Sequence, residues 1–114
     1  MKRDLDHIRR ILLEVEAAPL GEPIMLNEQA DAFQAAFALD ANLVDGIVET
    51  DNGNIPYFAA LFRLTWEGAD FLDATRDDTL WAKARKEVIS QGKAITFATL
   101  KGWLQLHINQ TLGI

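Results

Sequence analysis

The chain has 114 residues, 49% of them hydrophobic, and a formal charge of −6, enough for one domain with a continuous core that needs no covalent staples. It contains no cysteine, which excludes disulfides, thiolate catalysis and the common zinc motifs and agrees with a reducing compartment. The charged start, Met1 to Arg10, holds no apolar run long enough for a signal peptide, and nowhere do about 18 apolar residues follow one another, so a soluble, cytoplasmic protein without membrane contact is expected.

Asp4 is the expected N-cap of a first helix, with Asp6 in the first turn against the positive end of the dipole. Leu5, Ile8, Leu12 and Val15, with Ile11 beside them, recur at helical spacing and give it one apolar stripe. Pro19 and Gly21 end it near Ala17, and the run Ile24, Met25, Leu26 after Pro23 suits a short edge strand. Asn27 is the expected cap of a second helix, Glu28 to Ala41, with Phe33 and Phe37 on its packing face. Asn42 stands where a left-handed residue closes a helix, and the chain then turns extended through Gly46, Ile47, Val48 and Glu49.

Asn52 and Gly53 form the dipeptide preferred in tight hairpins, so a return strand from Tyr57 to Leu64 is expected. Its two-residue period puts Phe58, Ala60, Phe62 and Leu64 on one face, assigned to the core, and Tyr57, Ala59, Leu61 and Arg63 on the other. That second face is more apolar than a solvated wing requires; it is covered either by the C-terminal helices or by another chain. Thr65 caps the next helix, with Phe71 and Leu72 inward. Asp77 or Asp78 restarts the chain as a helix with Leu80, Trp81, Ala84 and Val88 inward, ending at Gly92. Thr96 caps a last helix to about Leu112, with Ile95 packing on Leu100 and a stripe of Leu100, Leu104 and Ile108. The expected architecture is α+β and mostly helical: one winged-helix-like domain with a small antiparallel sheet, its core in residues 1–76 and a C-terminal helical extension in 77–114.

The charges are unevenly placed. Between Ile11 and Phe62 there are nine acids (Glu14, Glu16, Glu22, Glu28, Asp31, Asp40, Asp45, Glu49 and Asp51) and no Lys or Arg. A duplex-binding surface neutralises phosphates with such bases, so the first half has little to offer DNA. The second helix stands in the place of a recognition helix and offers Gln29, Gln34 and Asn42 as adenine readers, but Glu28, Asp31 and Asp40 have the wrong sign for phosphate.

Two blocks, MKRDLDHIRRILLEVE and RLTWEGADFLDATRDDTLW, with ANLVDG between them, resemble the uncharacterised bacterial and phage family known as domain of unknown function 2513. The resemblance implies a winged-helix-like fold and no established activity. The nine residues from Ala18 to Leu26, two of them proline, leave little room for the short extra helix of a standard helix-turn-helix.

No catalytic constellation emerges. His7 and His107 lack partners at metal-ligand spacing, Ser90 has no elbow motif, and Asp70, Asp73, Asp77 and Asp78 suit helix starts and surface positions better than acid–base work. No catalytic, cofactor or metal residue and no small-molecule substrate is therefore expected. Trp66, Trp81 and Trp103 are a large aromatic share for this length, suited to packing and, for one or two of them, to a partner surface. The leading reading is a non-enzymatic interaction or regulatory module, phage-associated or self-associating, with Tyr57, Leu61, Trp66 and Trp103 as its partner or dimer surface. The alternative is a DNA-binding transcriptional regulator using Arg9, Arg10, Arg85 and Lys86.

Overall fold

The computed structural model describes residues 2–89, 100 and 102–106, with backbone alone at Val88 and Ile89. It divides into two compact units, Met1–Ala69 and Asp70–Ile114.

In the first unit, helix α1 (Leu5–Ala17) starts where Asp4 accepts hydrogen bonds through Oδ1 from the backbone N–H of Asp6 and His7, both at 3.1 Å. These bonds satisfy two of the donors that every helix start leaves open. Leu5, Ile8, Ile11, Leu12 and Val15 are all buried, so the predicted stripe is the packing face. Strand β1 (Ile24–Leu26) follows, then helix α2 (Gln29–Asp40). The N-cap of α2 is Glu28, one residue later than expected, and its side chain makes no capping bond.

The packing face of α2 is also corrected. Ala32, Gln34, Ala35 and Ala38 are buried, whereas Phe33 and Phe37 are half-buried and tilt against each other with centroids 5.6 Å apart. Small alanines let α2 lie close to α1 and the sheet, both of which it packs against; two phenylalanines on that side would hold it away. Asn42 closes the helix at φ 58, as its position predicts.

Strands β2 (Val44–Thr50) and β3 (Pro56–Leu64) pair antiparallel, and β1 adds to the other side of β3, giving a three-stranded sheet in the order β1-β3-β2. The hairpin between β2 and β3 is wider than a two-residue turn. Asp51 accepts through Oδ1 from the N–H of Gly53 and Ile55 at 2.8 and 3.0 Å, and the left-handed residue is Asn54 (φ 60) rather than Gly53. The helix-to-strand corner then locks the next helix, α3 (Trp66–Thr75), in place. Thr65 donates its N–H to Leu43 O at 3.1 Å and its hydroxyl to Asn42 O at 2.5 Å, while its Oγ1 accepts from Gly68 N at 3.0 Å. Gly68 lies directly against the backbone of Leu43, where any Cβ would collide with the carbonyl. The ANLVDG corner and the start of the LTWEG block thus form one joint.

In the second unit, helix α4 (Asp78–Ala84) is capped by Asp77, which accepts through Oδ1 from Leu80 N at 3.0 Å, and runs into a π-helical turn at Arg85–Ile89. Phe71, Leu72, Leu80, Trp81, Ala84, Leu100 and Leu104 are buried, with Phe71 and Trp81 meeting edge-to-face at 6.1 Å. Helical backbone recurs at residues 100 and 102–106. The expected helix end at Gly92, the Ile95 staple, the Thr96 cap, His107 and Ile108 lie outside the described residues, as does the side chain of Val88.

Candidate interaction surface

The two faces of the sheet differ from the expectation at the strand that matters most. Leu61, expected on the partner surface, is fully buried along with Ala59, while Phe62, expected in the core, is 53% exposed. The cause lies in the register. Ile24 pairs with Leu61 and Leu26 with Ala59, and Gly46 and Val48 oppose the same residues from β2, so this row faces α1 and α2. The alternate row puts Met25 and Ile47 on either side of Ala60, with Phe58 opposite Glu49 two residues along. Bulges at Asp45/Gly46 and Glu49/Thr50 make Phe62 and Tyr57 extra residues on β3 and re-aim both.

The outer face therefore presents Met25, Ile47, Phe62 and Tyr57, each about half exposed. Tyr57, one of the residues expected to be open to a partner, is exposed. Its hydroxyl donates to Glu49 Oε2 at 3.0 Å, and that bond, with the Glu49 charge and then smaller contributions from burial and Asp51, raises the phenol above its ordinary value. Arg63, on the same side, meets Asp45 Oδ2 at 2.6 Å. Beyond the end of β1, a cleft of about 220 Å³ is lined by Val15, Pro19, Leu20, Phe62 and Leu64 on its apolar side and by Glu16, Glu22 and Arg63 at its edge. Phe62 belongs to both the cleft and the face, and Leu20 is entirely exposed.

Of the remaining expected contacts, Trp66 is 83% exposed at the first turn of α3, and Trp103, in the second unit, is half-buried. Trp81 belongs to the packed interior. Arg9 and Arg10 belong to the first unit, Arg85 and Lys86 to the second, where both are exposed on the π-helical turn. Arg9 and Arg10 share a cleft of about 350 Å³ with Asp4, Asp6, His7 and Leu13, and the Arg10 guanidinium lies 3.8 Å from Asp31.

A contact that spacing alone does not reveal joins the first two helices. His7 Nε2 and Asp31 Oδ1 are 2.6 Å apart, 24 residues distant in sequence, so the histidine fastens α1 to α2. Gln34 does the same for the segment before α1. It is 3% exposed, its Nε2 donates to Lys2 O and its Oε1 accepts from Asp4 N, both at 2.9 Å. A glutamine expected among the base readers is thereby committed to the interior, because a buried amide must find partners. Among the described residues, no three His, Asp or Glu side chains come together in a way that would hold a metal ion, and no helix is long and apolar enough to cross a membrane.

Residues 2–94 match the family model described as Hypothetical protein (DUF2513). The chain belongs to that family. The DUF2513 resemblance of the two outer blocks is thus borne out over most of the length, including the α3 joint and the strands that form the outer face. An uncharacterized protein of Haemophilus influenzae (strain ATCC 51907 / DSM 11121 / KW20 / Rd) is 29% identical over 120 residues, covering 99% of this chain and 100% of that protein. No solved structure matches the chain.

Proposed function

We propose that this DUF2513 protein is a non-catalytic protein-interaction module of winged-helix-like build, and that the outer face of its sheet is where the partner sits. The observation that carries the reading is the placement of Met25, Ile47, Phe62 and Tyr57, half exposed, on one side of three strands whose other side is already filled by helices. Single exposed apolar residues are ordinary; four on one small face are the pattern of a binding surface. The winged-helix-like reading is supported by the order α1, β1, α2, β2, β3 and by the central place of β3 in the sheet. Trp66 extends the set of exposed anchors on the first unit, aromatic residues being enriched where partners bind.

Duplex binding through Arg9, Arg10, Arg85 and Lys86 has less support. Arg9 and Arg10 stand among the carboxylates of Asp4, Asp6 and Asp31, which compete with phosphate for them, and Gln34 is occupied.

Site-specific photocrosslinking tests the proposal. A benzophenone side chain replacing Ile47 in the full chain, expressed in bacterial cells, is expected to give a discrete protein adduct that Phe62→Ser abolishes. The same group at Glu28, exposed at the start of α2, should give none. Equal labelling from both positions, or none from Ile47, would sink the reading.

A further inference from the structure

The charges around the outer face say what kind of partner it fits. The strands and the loop before β1 carry one base, Arg63, which is engaged with Asp45. Against it stand Glu22 at the cleft and Glu49 on the face, with Asp51 in the adjoining turn. A nucleic acid or an anionic lipid surface would meet charge of its own sign here. A second copy is disfavoured by the same argument, since a two-fold interface sets a patch against itself and would bring two net-negative rims together. An added edge strand is also poorly served, because the edge strand β1 is only 3 residues long and the other edge, β2, carries Asp45 and Glu49. What remains is a partner that lies across the face, fills the gap between Leu20 and Phe62 with an apolar side chain and brings Lys or Arg to the rim.

We propose that the outer face, together with the cleft at Leu20 and Phe62, docks a cationic amphipathic helix of another protein. This rests on the interaction reading above and narrows it to one class of partner. Recognition then follows the usual division of labour for a helix on an apolar surface: anchors one turn apart supply the contact, and the charged flank selects the partner.

Two labelled probe peptides of about five helical turns test it, with identical leucine stripes and either lysine or glutamate on the polar side. Titrated with the full chain in fluorescence anisotropy at about 50 mM salt, the lysine peptide is expected to bind and the glutamate peptide not; about 300 mM salt should weaken binding several-fold by screening. The double variant Glu22→Lys with Glu49→Lys is expected to lower the affinity about tenfold, roughly the loss of two partly screened charge contacts. The double variant Glu28→Lys with Asp40→Lys, of equal charge but at exposed positions at the two ends of α2, should leave it within about twofold. Phe62→Ser and, as a second exposed position, Ile47→Ser should each weaken binding about tenfold with unchanged circular dichroism.

Equal binding of both peptides, or equal loss from the two double variants, overturns the proposal. So does a dimer in sedimentation equilibrium that Phe62→Ser dissociates, because the face then belongs to a second copy. A specific adduct from Ile47 to a protein with no cationic helix removes this inference and leaves the interaction reading standing, whereas no adduct and no peptide binding removes both.

Discussion

The two faces of the central strand are built from the same kinds of residue and serve opposite ends. On the inner side Ala59 and Leu61 are sealed between β1, β2 and the helices; on the outer side Phe62, Met25 and Ile47 stand half in water. Composition does not separate them, since PYFAALFRL is apolar on both alternations. What separates them is that the helices of the first unit arrive from one side only. An apolar side chain enclosed by helix and sheet contributes to folding, whereas the same chemistry on the open side contributes to binding, and exchanging the two roles is the sharpest way to probe the molecule.

The largest effect is expected at Leu61. Leu61→Ala removes a fully buried side chain from the row beneath α1 and α2 and should cost about 3 kcal/mol in urea unfolding. Phe62→Ala, the next residue and a larger side chain, should cost about 0.5 kcal/mol or less because its ring is half exposed already. Equal losses would mean that the faces are not distinct and that Phe62 is part of the packed interior.

That contrast also locates what the amino-acid pattern disclosed. Helix α1, strand β1, the left-handed Asn42 and the Thr65 and Asp77 caps were all legible, because capping and periodicity are local chemistry written within a few residues. The inner face of β3 was not. A strand that is apolar on both sides has no alternation to decode, and the bulges that re-aim Tyr57 and Phe62 depend on the partner strand. Long-range contacts were equally hidden: His7 showed only the lack of a partner at metal-ligand spacing and Gln34 was a candidate base reader, and only tertiary packing brings Asp31 and the Lys2–Asp4 backbone to them. At the candidate surface Tyr57 and Trp66 were legible as exposed aromatics, while Met25, Ile47 and Phe62 became visible only through the register.

A second comparison of sizes concerns the joint between the α2–β2 corner and α3. Gly68→Ala would favour an isolated helix by about 1 kcal/mol, yet in this chain the added methyl meets the Leu43 carbonyl, so a net loss of about 2 kcal/mol is expected as the corner shifts. A gain in stability would show that α3 is free of the corner. Smaller again is Gln34→Ala, expected to cost about 1 kcal/mol: Lys2 O and Asp4 N lose their partner, but water reaches that end of the chain and replaces part of the bonding. Amide exchange should quicken at Asp4 more than in the body of α1.

The smallest effect reads the outer face directly. Tyr57 is the one tyrosine in the chain, so tyrosinate absorbance reports it alone. Its hydrogen bond to Glu49, followed by the Glu49 charge, raises its pKa above 10.0, which means that the folded chain holds the phenolic proton more tightly than the unfolded chain does. The sign follows: the stabilisation is complete below the unfolded value of 10.0 and is lost as the pH climbs through the folded value. The titration midpoint of the native protein should therefore lie above that of the urea-unfolded chain, and Glu49→Gln should draw the two together while leaving the fold intact. Binding of an arginine version of the peptide, whose guanidinium groups stay charged in this pH range, should move the midpoint the same way as Glu49→Gln, because cations near Glu49 favour the phenolate. If native and unfolded midpoints coincide, the Tyr57–Glu49 bond does not hold in solution; if the peptide raises the native one further, its cations do not sit beside Glu49.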